Sequence, residues 1–330
     1  MMSIFSRRLS FFILLISPLL LSSCASVSPQ IPESELKAYK VIEEKSFPGH
    51  YAPTFIIEDP ENKFNQIGTP WARTVSDGKE EVFVDYEKST IYYETREFQT
   101  TKASYTNLIY RIHFEQVPFS LVPFYIGMGK NVGLMVVVTL NSRNEPVLYT
   151  TVHTCGCYIA FMPTSFMPED AFPESWRKER QTIFGESLPG LLDYNGFPLI
   201  DARLMVLIKS GSHRVKDAWL AGKDSLHQYD AVVMDIQPMA SLERLPLPDG
   251  TTSFYEASGS REGYVKGSHK FWERLLMSWW TFDWRIGEDK KLGENLDDGP
   301  VFYTSIKAWQ RQASDLRDFP GFLNYWGWGL

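Results

Sequence analysis

Apolar runs and alternating polar positions along this chain predict a protein built mainly from β-strands. Residues 108–117 and 132–140 are rich in β-branched and aromatic side chains and have the length of buried strands. A polar turn follows the second run, so residues 132–140 and 147–161 are predicted to form a β-hairpin. Two shorter alternating runs, residues 81–86 and 90–94, predict a second hairpin.

The periodicity changes to that of helices in the last part of the chain. Within residues 268–280 four apolar residues recur at helical spacing: Trp272, Leu275, Leu276 and Trp279. This pattern predicts an amphipathic helix whose apolar stripe packs against the core. Helices are also predicted over residues 173–184 and 305–316. The strongly apolar residues 322–330 are predicted to dock against the domain.

Together these elements predict a β-rich α+β fold, with an antiparallel, sandwich-like or partly closed sheet and C-terminal helices packed on it. Residues 36–330 can form one large core, and no internal repeat divides them. We therefore expect a single β-rich globular domain whose C-terminal part is helical.

Composition narrows the classes of function. The formal net charge is -7 and the chain has no basic run, which argues against nucleic acid as a partner. Aromatic residues make up 15% of the chain and include 10 Trp. Such residues suit a β-rich core, and they also suit platforms on which sugar rings stack. A glycan-binding or glycan-cleaving protein is therefore one hypothesis.

The first residues have the order of an export signal. Arg7 and Arg8 precede an apolar stretch, residues 11–21, which is too short and wrongly flanked for a transmembrane helix. An apolar stretch of this kind behind a positively charged start predicts a signal peptide.

The motif Leu21-Ser22-Ser23-Cys24 at the end of this stretch resembles a bacterial lipobox. The resemblance implies that residues 1–23 are a signal peptide and that Cys24, acylated through its sulfur, becomes the N-terminus. Residues 24–35 then form a lipidated, flexible tether. In lipoproteins of Gram-negative bacteria an Asp directly after the lipidated cysteine favours retention in the inner membrane, so the resemblance together with Ala25 implies the outer membrane. The implied partner is therefore the membrane, reached through the lipid anchor, with the domain facing the periplasm.

The stretch from residue 149 to 161 holds two cysteines that the exported domain can use for chemistry. If it is an extended strand, His153, Cys155 and Cys157 share one face, with same-face neighbours about 6.6 Å apart. A disulfide needs Cβ atoms about 3.8 Å apart, whereas two thiolates and an imidazole suit zinc or copper. The strand therefore predicts a metal site, with His113 as the nominated fourth ligand.

Two alternatives remain open for these residues. A bend at Gly156, which interrupts the strand pattern, would bring the sulfurs together as a strained, reducible bridge. The cysteines are otherwise small buried side chains beside a core histidine.

The sequence contains no Gly-x-Ser-x-Gly elbow, His-Glu-x-x-His motif, phosphate loop or dinucleotide fingerprint. It therefore leaves catalytic activity open. Three functions compete: a metal-binding envelope lipoprotein, a glycan-binding or glycan-cleaving lipoprotein, and a structural or assembly lipoprotein without catalytic activity, whose partner would be another envelope protein.

Overall fold

The computed structural model describes residues 35–42 and 46–330. The signal peptide predicted for residues 1–23, the lipidated Cys24 and the tether up to residue 34 lie outside the described residues. Within the described part, the chain forms two large open sheets, three pairs of short strands and a C-terminal part that includes two α-helices. The β-rich α+β fold expected from the sequence is confirmed.

The larger sheet has six strands. In spatial order they are β15 (Asp235–Pro238), β5 (Thr90–Gln99), β6 (Ser104–Val117), β7 (Gly129–Leu140), β8 (Pro146–His153) and β9 (Ala160–Pro163). Neighbours are antiparallel except β15 and β5, which are parallel. The predicted hairpin of residues 132–140 and 147–161 is present as β7 and β8. Its second strand, however, ends at His153 instead of continuing to residue 161.

The second sheet has five strands and mixes parallel and antiparallel pairs. In spatial order they are β13 (Val215–Gly222), β12 (Ala202–Ile208), β2 (Thr54–Glu58), β1 (Leu36–Lys40) and β14 (Asp230–Val233). Strand β2 pairs in parallel with β12, and β1 pairs in parallel with β14. Strands far apart in the chain are therefore neighbours in this sheet.

Three further pairs are short and antiparallel. They are β3 (Thr69–Thr74) with β4 (Glu80–Asp85), β10 (Gln181–Ile183) with β11 (Glu186–Leu188), and β16 (Leu245–Leu247) with β17 (Gly250–Thr252). The hairpin predicted for residues 81–86 and 90–94 is wrong, because β4 pairs with β3 while β5 pairs with β6. The helix predicted for residues 173–184 is also wrong, since β10 occupies its end.

The described residues form three short α-helices: α1 (Phe47–Tyr51), α2 (Phe271–Thr281) and α3 (Phe319–Tyr325). Short 3-10 helices cover Lys63–Asn65, Glu169–Ala171, Lys223–Gln228, Met239–Glu243, Gly259–Arg261 and Ala308–Gln310. The helix predicted for residues 305–316 is wrong apart from the last of these 3-10 helices. That segment folds back instead, so that the backbone N–H of Thr304 donates to the carbonyl of Ser314 at 3.0 Å.

The main core lies between the two large sheets. Leu108, Tyr110 and Ile112 of β6 pack there with side chains of the five-stranded sheet such as Phe55 and Val206. The intervening residues of β6 point to the opposite face, because successive side chains of a strand alternate. Both faces of the central strands are therefore covered, which explains their nearly continuous apolar sequence.

The C-terminal part covers the other face of the six-stranded sheet. Ile109 and Val137 of the sheet pack in one cluster with Phe322, Leu323 and Trp328 from the end of the chain. The docking predicted for residues 322–330 is confirmed, and the terminus closes the second core.

Helix α2 has the opposite orientation to the one predicted. Its buried residues are polar, namely Glu273, Ser278 and Thr281. Of the apolar stripe, only Trp272 packs partly against the main core, while Leu275 and Trp279 are exposed. The expected burial of this stripe is therefore wrong, because the polar side of the helix faces a buried group of charged side chains.

Replacing Trp328 by Ala should lower the free energy of unfolding by about 3 to 5 kcal/mol, because this large ring is buried in the second core. Denaturant unfolding monitored by circular dichroism measures the loss. Trp309 is 77% exposed, so Trp309→Ala is a matched control with an expected change within about 0.5 kcal/mol. Equal stabilities for Trp328→Ala and the wild type would contradict the docked terminus.

Candidate functional site

The chain turns sharply where β8 ends. The backbone N–H of His153 donates to the carbonyl of Cys157 at 2.9 Å, and that of Gly156 donates to the carbonyl of His153 at 2.7 Å. Gly156 and Tyr158 have positive φ angles of 93° and 55°. The expectation that both cysteines lie on an extended strand is therefore wrong. They lie in a tight turn, and glycine supplies the backbone freedom that this turn needs.

Gly156 also lies directly against the backbone of a distant segment. A Cβ atom added to it would lie 2.1 Å from the carbonyl oxygen of Tyr303. The turn and the C-terminal layer are thus in close backbone contact, which a side chain at residue 156 would prevent.

Hydrogen bonds hold this turn on both sides. The backbone N–H of Thr154 donates to the carbonyl of Gly133 in β7 at 2.9 Å. The N–H of Lys290 donates to the carbonyl of Thr154 at 2.9 Å, and its Nζ donates to the carbonyl of Cys155 at 2.6 Å. The backbone that carries the cysteines is therefore fixed by the sheet and by the C-terminal part.

Both cysteines are free thiols; Cys155 is buried and Cys157 is partly exposed. The hydrogen bond from the Cys157 thiol lowers the pKa of Cys155, and the positive charge of Lys270 adds to this, against the opposing effect of burial. The same hydrogen bond, together with burial, raises the pKa of Cys157 well above its ordinary value. Cys155 is therefore the thiol that ionises first, with Cys157 as its hydrogen-bond donor.

A buried ion pair lies beside the thiols. Lys270 Nζ is 3.1 Å from Asp289 Oδ2, and both side chains are buried. The Asp289 carboxylate also accepts a hydrogen bond from the hydroxyl of Thr154. Burial alone would lower the pKa of Lys270, but Asp289 and Cys155 raise it well above the ordinary value. Lys270 is therefore a permanent positive charge next to Cys155.

Glu273 is the second buried carboxyl group of this site. Burial raises its pKa, and Lys270 opposes this effect. Its Oε2 is buried without a hydrogen-bond partner among the described residues. A carboxyl group in this state can accept or release a proton, because its environment disfavours the charged form.

A pocket of about 110 Å³ lies beside Cys155, Lys270 and Glu273. Its wall also includes the polar side chains of His153, Tyr158, Ser212 and Arg214. Phe124 and Tyr125 form part of its apolar wall. A small group that enters the pocket can therefore reach the thiol with the lowered pKa.

His153 is fixed at the edge of this pocket. Its Nε2 lies 3.0 Å from the carbonyl oxygen of His213, and since a carbonyl only accepts, Nε2 carries the proton. Burial lowers the pKa of His153 to about 3, and Lys270 adds to the effect. His213 itself stacks on Phe114 with 4.0 Å between ring centroids. His153 is therefore a neutral imidazole at physiological pH.

His113 does not join the other predicted ligands. It pairs with Gly133, whereas His153 pairs with the next residue, Leu134. Adjacent residues of a strand point to opposite faces, so the six-stranded sheet separates the two histidines. His113 contacts Arg111 and the ring of Phe254 on the far face, so the structure does not bring the nominated fourth ligand together with His153 and the cysteines. Across the described part of the chain, no group of three or more His, Cys, Asp or Glu residues is arranged to hold a metal ion.

Sequence reasoning missed Lys270, Glu273, Asp289 and Lys290, which follow the cysteines by more than a hundred residues. One signal was available for Glu273, because it is the only acidic residue of a strongly apolar helix. The other three belong to loops and helix ends whose spacing carries no recognisable motif.

A second, larger cleft of about 660 Å³ lies on the other side of Tyr158 and Phe184, whose rings are in contact. Its wall combines aromatic and polar side chains, among them Phe161, Trp176, Arg177, Arg180, Trp326 and Trp328. Aromatic rings beside hydrogen-bonding groups suit a ligand with both apolar and polar faces.

Neither a protein-family model, nor a curated protein, nor a solved structure matches this chain. The function must therefore be inferred from the chemistry of its own side chains.

Proposed function

We propose that the protein is an envelope lipoprotein whose Cys155 and Cys157 form a thiol–disulfide redox centre. The observation that carries this proposal is the fixed, tight turn that holds two free thiols two residues apart, with Cys155 and the buried Lys270 in the wall of one pocket. The pKa of Cys155 is lowered there. Reactive cysteines are thiolates in electropositive surroundings, and Lys270 provides that charge here.

The exchange has two steps. The Cys155 thiolate attacks one sulfur of a substrate disulfide, which forms a mixed disulfide and releases the other substrate sulfur as a thiolate. Cys157 then loses its proton and attacks the sulfur of Cys155, which forms the internal bridge and releases the second substrate thiolate. The protein loses two electrons and the substrate disulfide gains them.

Neighbouring side chains have distinct roles in this scheme. Lys270 stabilises the Cys155 thiolate, because its charge acts directly on that thiol. Glu273 accepts the proton of Cys157, since its negative charge acts on this thiol and its own pKa is raised by burial. The Lys290 Nζ holds the carbonyl of Cys155 and keeps the turn in place as the sulfurs react.

Glycan binding is a second candidate function, and the cleft beside Trp176 favours it. Rings of Trp176, Trp326 and Trp328 line this cleft together with Arg177 and Arg180. The indole N–H of Trp176 donates to the carbonyl of Gly190 at 2.9 Å. The ring is thereby held in one orientation, as a stacking platform for a sugar requires.

Lipid anchoring through Cys24 is part of the main proposal. The basic start, the apolar stretch and the motif Leu21-Ser22-Ser23-Cys24 support it. The periplasm is a compartment in which disulfides form and persist. A redox pair held there at the outer membrane would exchange disulfides with other exported molecules.

The redox proposal predicts a defined reaction of the reduced, full-length protein with glutathione disulfide, followed by mass spectrometry. We expect the wild type to lose two hydrogen atoms as the Cys155–Cys157 bridge forms and to release reduced glutathione. Cys157→Ala should stop at a mixed disulfide on Cys155.

The pH dependence of alkylation provides a second measurement. Alkylation of Cys155 should have its pH midpoint below about 8.5, the ordinary thiol pKa. Cys157→Ala should raise that midpoint, because the neighbouring thiol no longer lowers the pKa of Cys155.

Tyr158→Phe is the matched control, because it keeps the aromatic ring and both thiols. The pH midpoint for alkylation of Cys155 in this variant should equal that of the wild type. Isolation of the protein with about one equivalent of zinc or copper, lost in the Cys155→Ser, Cys157→Ser variant, would contradict the redox proposal. That outcome would assign the pair to metal binding.

For the glycan candidate, Trp176→Ala should weaken co-sedimentation with purified peptidoglycan sacculi by about tenfold, equivalent to the loss of about 1.4 kcal/mol of stacking. Trp219 of β13 is partly exposed and lies outside the cleft, so Trp219→Ala should leave co-sedimentation unchanged. Equal effects of both substitutions, or no binding by the wild type, would rule out this cleft as the glycan site.

For the anchor, Cys24→Ser should move the protein from the membrane fraction to the soluble periplasmic fraction. Several acyl chains on one cysteine hold a protein stably on a bilayer, and a serine at this position cannot be acylated through sulfur. Fractionation followed by immunoblotting measures the change, with Cys157→Ser as the control that keeps the lipobox. Membrane retention of Cys24→Ser equal to that of the control would mean that another segment anchors the chain.

A further inference from the structure

Helix α2 presents its apolar side to solvent. Phe271 is 64% exposed and Trp279 is 72% exposed, while the polar Glu273, Ser278 and Thr281 point inward. The exposed residues recur every three or four positions, so they form one continuous stripe along the helix. Soluble proteins rarely expose a contiguous apolar area of this kind unless it contacts something.

A neighbouring loop extends this stripe. In residues 119–124, Val122 is 93% exposed, and Phe119 and Leu121 are also exposed. Phe124 joins the loop to the helix, because its ring lies 5.6 Å from that of Trp272. We call the exposed apolar side chains of residues 119–124 and 271–284 the aromatic face.

The charges of the aromatic face have one sign at the surface. Glu273 is buried, and the carboxylate of Asp283 accepts a hydrogen bond from the hydroxyl of Tyr303 at 2.5 Å. Arg274 is exposed, and its guanidinium lies over the ring of Trp284 at 5.5 Å. The chain as a whole has a net charge of -7, so a cation among exposed aromatic rings is a local feature. The positive charge of Arg274 can pair with the negatively charged phosphate groups of lipids.

We propose that the aromatic face docks on the surface of a lipid bilayer, with α2 lying in the plane of the interface. Trp and Phe side chains with nearby arginine are favoured at the boundary between headgroups and acyl chains. Among the described residues, no helix is long and apolar enough to cross a membrane. The 11 residues of α2 extend for about 16 Å, and its single apolar stripe fits one-sided contact with the bilayer.

The length of chain before the domain allows this contact. If Cys24 carries the lipid, as proposed above, ten residues separate it from Glu35, and the 11 steps along the chain from Cys24 to Glu35 reach at most about 39 Å. A folded chain of this size has a radius of gyration of about 19 Å. The domain is therefore held close enough for the aromatic face to reach the same bilayer. Because Phe124 also lines the pocket beside Cys155, docking places the pocket next to the membrane.

The test uses the full-length protein reconstituted into phosphatidylethanolamine and phosphatidylglycerol vesicles, with and without brominated acyl chains, which quench tryptophan emission on contact. We expect quenching in the wild type and a clearly smaller quenched fraction in the Trp279→Phe, Trp284→Phe variant, which lacks the two most exposed indoles of the aromatic face and keeps Trp280. Trp219→Phe is the matched control, because this residue belongs to the five-stranded sheet, and its quenching should remain.

A second variant separates docking from loss of the reporters. Leu275→Glu with Phe282→Glu keeps every tryptophan and places charges on exposed positions. We expect it to lose quenching by bromine and to gain quenching by aqueous iodide, with an unchanged circular dichroism spectrum.

If the wild-type protein is present in the vesicles but its tryptophan emission is not quenched by bromine, the proposal is overturned. If, without lipid, the tryptophans become better protected from iodide quenching as the protein concentration rises, the proposal is overturned. The aromatic face would then bind a second copy of this chain. Absence of the protein from the vesicle fraction would overturn both the anchor and the docking that rests on it. The thiol reactions are measured without lipid, so the redox proposal can fail or hold independently.

Discussion

The buried ion pair between Lys270 and Asp289 is the interaction on which the candidate site depends. Two charges taken out of water cost several kcal/mol each, and only close pairing and additional hydrogen bonds offset that cost. Here the offset comes from the 3.1 Å contact and from the hydroxyl of Thr154. Thr154 precedes Cys155 in the turn, so the pair also fixes the cysteine backbone. Loss of either charge would leave the other buried without compensation.

Much of the fold could be predicted from the sequence, because its apolar runs have the period and length of strands. The hairpin of β7 and β8 is the clearest case, since a polar turn separates two long runs. Pairing between distant strands could not be predicted, as β2 with β12 shows. Helix α2 had the right period and the wrong face, because hydrophobicity alone does not say which side of a helix meets the protein.

The candidate site was predictable only in its local part. The sequence identified the cysteines and Gly156 as the place where a bend was an alternative to a strand. Whether glycine takes a positive φ angle depends on its surroundings, here the backbone of Tyr303 packed against it. The positions of Lys270 and Glu273 depend on the packing of the C-terminal layer. No spacing along the chain records that packing, so side chains beyond the local motif were missed.

The contact between Lys290 and the turn joins residues that are 135 positions apart. Closing so long a loop costs conformational entropy before any contact forms, and contacts of this kind tend to form late in folding. Because the N-terminal part of a chain emerges first, both cysteines are exposed before Lys270 and Lys290 can pack against them. During that interval the thiols have the reactivity of ordinary cysteines. Their special chemistry is consequently a property of the completed chain, and a truncated product would lack it.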